Sequence, residues 1–139
     1  MVWRRGKEDK IAWHNYGNAH KYGAETVTVD GVKFQSKREA RRWCQLRLME
    51  QAGEIRDLRR QVRFELIPAQ YEADITTKTG KKKRGRCIER SCVYIADFAY
   101  IQSEKGEYVV EDAKGVRTDA YVIKRKLMLY VHGIQIKEV

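Results

Sequence analysis

The sequence predicts an α/β fold in the order hairpin, α, β, β, β, α, β. Three observations predict it. Two segments carry both the start and the stop signals of a helix, several others alternate apolar and polar residues with a period of two, and hydrophobic residues make up 42% of 139 positions, enough for one core. A length of this order is one domain's worth, placed at residues 25–139 behind a basic arm over 1–24 that has no helical or strand period.

The elements follow in order. Glu25 to Val29 and Val32 to Phe34 are β-rich runs about Asp30-Gly31, which reads as a hairpin turn. Ser36-Lys37-Arg38-Glu39 has the spacing of a capping box ahead of Ala40, Trp43, Cys44, Leu46, Leu48 and Met49, so a helix is expected over 37–52, with Gly53 as its left-handed end. Leu58 to Gln70 alternates Val62, Phe64 and Leu66 against Gln61, Arg63 and Glu65, a strand that reaches the only proline, Pro68. The stretch 78–90 holds seven basic residues and one acid and reads as a mobile cationic loop. Strands at 91–101 and 107–113 share a short polar turn, Thr118 caps a helix ending at Gly133, and the closing IQIKEV is a last strand.

Charge narrows the partners. Lys and Arg number 29 against 19 Asp and Glu, a net +10, so the field favours a polyanion, with nucleic acid first and an anionic membrane surface second. No apolar run approaches the roughly 20 residues of a membrane span, and the first residues have no signal-peptide core, which predicts a soluble, cytoplasmic protein. Cys44, Cys87 and Cys92 form no CxxC pair and read as reduced thiols, Cys44 as a core residue on an apolar helix face. Trp43, Phe64, Tyr94, Phe98 and Tyr121 read as core aromatics. His14 and His20 with Asn15 and Asn18 superficially resemble an HNH nuclease, but the arm lacks the strands that motif requires.

The chemistry is concentrated in Tyr94-Ile-Ala-Asp97-Phe and Val110-Glu-Asp112-Ala-Lys114-Gly. Residues two apart on a strand share a face, so Asp112 and Lys114 point together, and the neighbouring strand can set Asp97 beside them. Such a cluster buries charge at a cost that a divalent cation would offset, and an all-oxygen site suits Mg²⁺, with Mn²⁺ as its substitute. Glu111 falls on the opposite face.

Asp97 followed by Asp112-x-Lys114-Gly, between strands and before a helix, resembles the PD-(D/E)xK nuclease superfamily. The segments KYGAETVTVDGVKFQSKREARRW, QVRFELIP, YIADF, VVEDAKGVRT and KRKLMLYVHGIQIKEV are similar to a small phage-borne family placed in it, over nearly everything from residue 21 onward. The resemblance implies a restriction-endonuclease-like core of α-β-β-β-α-β order with a mixed central sheet. It implies Asp97, Asp112 and Glu39 as metal ligands, Lys114 as the catalytic lysine, the Ala113 carbonyl as a further ligand, and a polar role for Lys124 near the site. The usual proline before the first aspartate is Ala96 here. Glu39 is equally explained as the capping-box acid.

The implied activity is Mg²⁺-dependent endonucleolytic hydrolysis of DNA, selective for branched structures such as four-way (Holliday) junctions, in phage recombination or replication inside the host cytoplasm. Lys81, Lys82, Lys83 and Arg84 read as phosphate contacts, and Arg117, Lys124 and Lys126 flank the second helix on the motif's side. A homodimer would match the two-fold symmetry of a junction. The competing reading is a catalytically silent nucleic-acid-binding module of a phage recombination or packaging assembly.

Overall fold

Asp30 and Gly31 both adopt left-handed backbone, φ 49° and 78°, and so close the two-residue turn that joins β1 (Val27–Val29) to β2 (Val32–Phe34) in antiparallel register. The computed structural model describes residues 25–139, and the expected basic arm, with its His and Asn residues, lies outside them. The chain divides into two compact units, 1–41 and 42–139, the boundary falling inside helix α1 (Lys37–Gln51). Within the first unit Ser36 Oγ accepts from Glu39 N at 3.1 Å, and Glu39 Oε2 accepts from Gln35 N at 3.1 Å. This is the expected capping box, reaching back one residue further than Ser36 itself.

Beyond Arg42 the helix runs to Gln51, Gly53 just past it has the φ of 76° of a left-handed cap, and Glu54 N returns to the Met49 carbonyl at 3.0 Å. Then come β3 (Ile55–Ile67), β4 (Gln70–Tyr71), β5 (Ile75–Thr76), β6 (Lys82–Lys83), β7 (Cys87–Glu89), β8 (Cys92–Gln102), β9 (Tyr108–Asp112), α2 (Asp119–His132) and β10 (Lys137–Glu138). The fold is mixed α/β. Its central sheet has the order β10-β9-β8-β3, with β8 antiparallel to both neighbours and β10 parallel to β9. Helix α2 starts where Thr118 Oγ1 accepts from Tyr121 N and stops at left-handed Gly133, as its sequence signals require.

The segment expected as a mobile cationic loop is instead half of a two-stranded ribbon. β4 pairs with β7 and β5 with β6, all antiparallel, and Thr77 N to Lys81 O at 2.8 Å closes the tip. The period of two could not reveal this pairing, because both faces of the ribbon meet water and neither carries an apolar stripe.

The central sheet has apolar packing on both faces. On one side Leu66, Tyr94, Ala96, Ala99 and Val110 pack with Tyr121, Met128 and Ile136. On the other, Phe98 stacks on Trp43 at 6.2 Å, and Arg60 lies over the same indole. Simple alternation would put Tyr94, Ala96, Phe98 and Tyr100 on one face. The alternation breaks between Ala96 and Phe98, where the β3–β8 register continues unshifted from Arg60↔Phe98 to Val62↔Ala96 past a left-handed Gln61, φ 50°. Ala96 and Asp97 therefore both belong to the α2 face.

Glu111, fully buried, is gripped on the opposite face. Arg42 donates from Nε and Nη2 at 2.8 and 2.7 Å, Tyr100 Oη at 2.5 Å, and Lys137 Nζ stands at 3.2 Å. Burial alone would raise its pKa, but the Arg42 fork, Tyr100 and Lys137 outweigh burial and hold it below the usual carboxylate range. Cys44 is exposed rather than a core thiol: the buried stripe of α1 passes through Leu46, and Cys44 lies off it. Among the described residues all three cysteines are free thiols, and no helix is long and apolar enough to cross a membrane.

Arg42→Met should destabilise the fold by about 3–5 kcal/mol, because it leaves the Glu111 carboxylate buried without its fork. Adding Glu111→Leu to that variant should restore much of the loss. Urea titrations of the two proteins measure the difference.

Candidate active site

Asp112 is the last residue of β9, and its position follows from register. Phe98 pairs with Glu111, so the next positions along the ladder set Asp97 across from Asp112 on the face where Ala99 and Val110 meet α2. Asp97 Oδ2 accepts from Ala113 N at 2.8 Å, which fixes the chain as it leaves the strand. Asp112 itself is buried. Tyr94 Oη donates to its Oδ2 at 2.5 Å, and Lys114 Nζ stands 3.1 Å from Oδ1.

Lys114 is not on the strand, as alternation expected. β9 ends at Asp112, and a tight turn in which Lys114 N donates to the Asp112 carbonyl at 3.1 Å brings the ammonium back over the carboxylate. The same ammonium lies 4.4 Å from the centre of the Tyr121 ring, a cation–π contact. Lys114 is thus held between a carboxylate and an aromatic face.

Glu138 forms the outer layer. It pairs with Asp112 across the parallel β10–β9 ladder, accepts from Tyr121 Oη at 3.0 Å and Arg125 Nη1 at 2.8 Å, and is ion-paired with Arg117. Arg125 and Arg117 with Tyr121 hold its carboxyl down at about 2, against a smaller opposing effect of burial. Burial raises the Tyr94 and Tyr121 phenols, and the carboxylates they donate to, Asp112 and Glu138, raise them further, so both remain protonated donors.

The structure brings Asp97, Asp112 and Lys114 together. Arg117 lies one layer out on Glu138, Lys124 is half-buried on α2, and Lys126 is exposed. Glu39 is buried in the first unit with its capping-box partners. Lys81, Lys82, Lys83 and Arg84 are exposed on the ribbon, Arg84 lying over the Tyr71 ring at 4.4 Å. Sequence reasoning missed the second roles of Tyr94 and Tyr121, which it assigned to the core. It also missed Glu138, whose only signal is an acid in a short closing strand.

Residues 19–137 match the family described as "Protein of unknown function (DUF1064)". The chain belongs to the DUF1064 family. No curated protein and no solved structure matches it. What this DUF1064 chain offers a cation is therefore judged from its donors. Among the described residues no group of three or more His, Cys, Asp or Glu could hold a metal. Two carboxylates do stand together, however, and Asp112 Oδ1 is buried without a hydrogen bond, ion-paired with the Lys114 ammonium. Mg²⁺ keeps several waters and takes one or two protein carboxylates, so this donor set fits it.

Glu138 gives a pH signature. Its folded pKa of about 2 lies below the ordinary 4.5, so its contribution to stability is full above about pH 5 and is lost as pH falls through the folded value. The stability gap between the natural chain and Glu138→Gln should therefore be constant from pH 7 to 5 and close progressively towards pH 2. Denaturant midpoints at each pH check it.

Proposed function

We propose that this chain is a Mg²⁺-dependent endonuclease of the PD-(D/E)xK type that hydrolyses DNA phosphodiesters, with branched DNA in phage recombination or replication as its substrate. The observation that carries the reading is the convergence of Asp97, Asp112 and Lys114 at one point of the β8–β9 ladder, with one buried oxygen of Asp112 left without a hydrogen bond. The element order α1, β3, β8, β9, α2, β10 and the mixed sheet support the same superfamily.

Asp97 and Asp112, with the Ala113 carbonyl, would hold the ion. An Mg²⁺ ion held there would supply Lewis acidity towards the scissile phosphate and the attacking water. The chain's own residues do the rest. Tyr94 fixes the Asp112 carboxylate by its Oδ2 and leaves Oδ1 directed towards Lys114. Lys114, steadied by Tyr121, orients the attacking water and offsets the negative charge that grows on the phosphate as the bond to the 3′-oxygen breaks. Arg117 and Lys124 supply positive charge around this point.

Asp97→Asn and Asp112→Asn should each abolish cleavage of labelled junction, flap and duplex DNA in Mg²⁺ or Mn²⁺, while binding in EDTA stays within about threefold of the parent, since the charged surface and not the ligands holds the backbone. Lys114→Ala should behave alike. Cleavage at the parent rate by Asp112→Asn, or no cleavage of any substrate by the natural chain, removes the assignment.

Junction resolution requires two cuts, and a two-fold pair of sites matches the symmetry of that substrate. Light scattering at micromolar concentration should accordingly give, in the presence of a four-way junction, a complex whose mass exceeds that of the junction alone by about twice 16.4 kDa. A mass of one chain under every condition excludes paired cutting.

A further inference from the structure

The ribbon of β4 to β7 projects from the β3–β8 ladder without a core of its own. Tyr71↔Cys87, Ile75↔Lys83 and Thr76↔Lys82 keep one register along it. Its tip is built: Thr77 Oγ1 accepts from Lys81 N at 3.1 Å and donates to Lys81 O at 3.0 Å, and Gly80 takes φ 76°. Gly85 is obligatory, because a Cβ there would stand 2.2 Å from the Glu72 carbonyl oxygen. Backbone bonding thus holds a shape that side-chain burial does not. Ile75 and Ile88 remain 55% and 60% exposed on it.

The run of four cations on this ribbon differs from the cations around the candidate site. Lys114, Arg117 and Arg125 there pair with carboxylates, and on the ribbon Arg86 pairs with Glu72. Among the described residues Lys81, Lys82 and Lys83 make no ion pair, and four consecutive cations sit on one arm beside the tip. Four adjacent like charges repel, and an external row of anions relieves that repulsion.

We infer that this ribbon inserts into the major groove of duplex DNA, with Lys81, Lys82, Lys83 and Arg84 on the flanking phosphates and Ile75 towards the base edges. The dimensions agree. Two strands about 4.8 Å apart, with their side chains, fit a groove about 12 Å wide, and the six residue steps from Tyr71 to Thr77 span about 20 Å, more than the groove's depth of about 8.5 Å. The major groove of an RNA duplex is too deep and narrow to admit it. An exposed isoleucine among cations suits the thymine methyl groups that line the DNA groove. The inference rests on the proposed DNA substrate, but it concerns binding and needs no cleavage.

The test compares the natural chain, in EDTA, with two variants. One combines Lys81→Ala, Lys82→Ala, Lys83→Ala and Arg84→Ala, and the other replaces residues 75–83 by Asn-Gly. Thermal midpoints within a few degrees of the parent verify that both fold. The natural chain should protect guanine N7 atoms in the major groove from dimethyl sulfate, and the shortened ribbon should lose that protection. The alanine variant should bind duplex DNA at least tenfold more weakly, with the slope of log affinity against log salt reduced by about 3 to 4. Unchanged guanine protection by the shortened chain, an RNA duplex bound as tightly as DNA, or no duplex binding by the natural chain overturns the inference. Cleavage with no groove protection would overturn it alone, whereas groove protection with no cleavage would overturn only the catalytic reading.

Discussion

The antiparallel register that sets Phe98 against Glu111 is the constraint on which the rest of this structure depends. A slip of one residue would exchange the faces of every side chain on β9. With this register, Glu111 turns to the side of Arg42 and Tyr100, and Asp112 turns to the side of Tyr94 and Lys114. Two adjacent carboxylates, both buried, thereby acquire separate partners on opposite faces of one strand. Neither could be left unpaired without a penalty of several kcal/mol. The Glu111 grip therefore does more than join α1 to the sheet. It makes the alternative register costly, and so it fixes the face on which Asp112 emerges.

The second consequence is the break in alternation on β8. Tyr94 and Asp97 have opposite parity, yet the site requires both on the α2 face, one to donate to Asp112 Oδ2 and the other to receive Ala113 N. Gln61, with left-handed backbone, lies on β3 at the level of Asp97. A non-glycine residue in that conformation costs of order 1 kcal/mol, and such positions cluster where geometry has been set for function.

Electrostatically the unit from Arg42 onward has two regimes. Around the sheet, three carboxylates have cations of their own: Glu111 has Arg42 and Lys137, Asp112 has Lys114, and Glu138 has Arg117 and Arg125. Three tyrosine hydroxyls, of Tyr94, Tyr100 and Tyr121, complete these pairs and keep their protons. On the ribbon, cations gather with few acids near them, and most of the stretch is exposed. Among the described residues, the exposed run Lys81 to Arg84 is the one place where four cations stand consecutively.

Local signals determined much of this protein. The Asp30-Gly31 turn, the Ser36 cap with Glu39, the left-handed glycines 53 and 133 and the Thr118 cap all act over four or five residues, so a linear reading recovers them together with the order of the elements. The pairing of Asp97 with Asp112-x-Lys114 was legible for a related reason, since two strands joined by a short turn have few alternative registers. What the tertiary structure alone decided lies at longer range. Whether 78–90 is a loop or a paired strand depends on partners up to about 20 residues away, Gln70 and Tyr71 among them, and no apolar stripe marks them. The exposure of Cys44 depends on which stripe of α1 is covered, the second role of Tyr94 depends on the β8–β9 register, and the roles of Tyr121 and Glu138 depend on a parallel strand returning from residues 137 and 138. Aromatic residues in a periodic segment look alike whether or not their hydroxyls reach a carboxylate, because that reach is set by the packing of α2 on the sheet and not by neighbours in sequence.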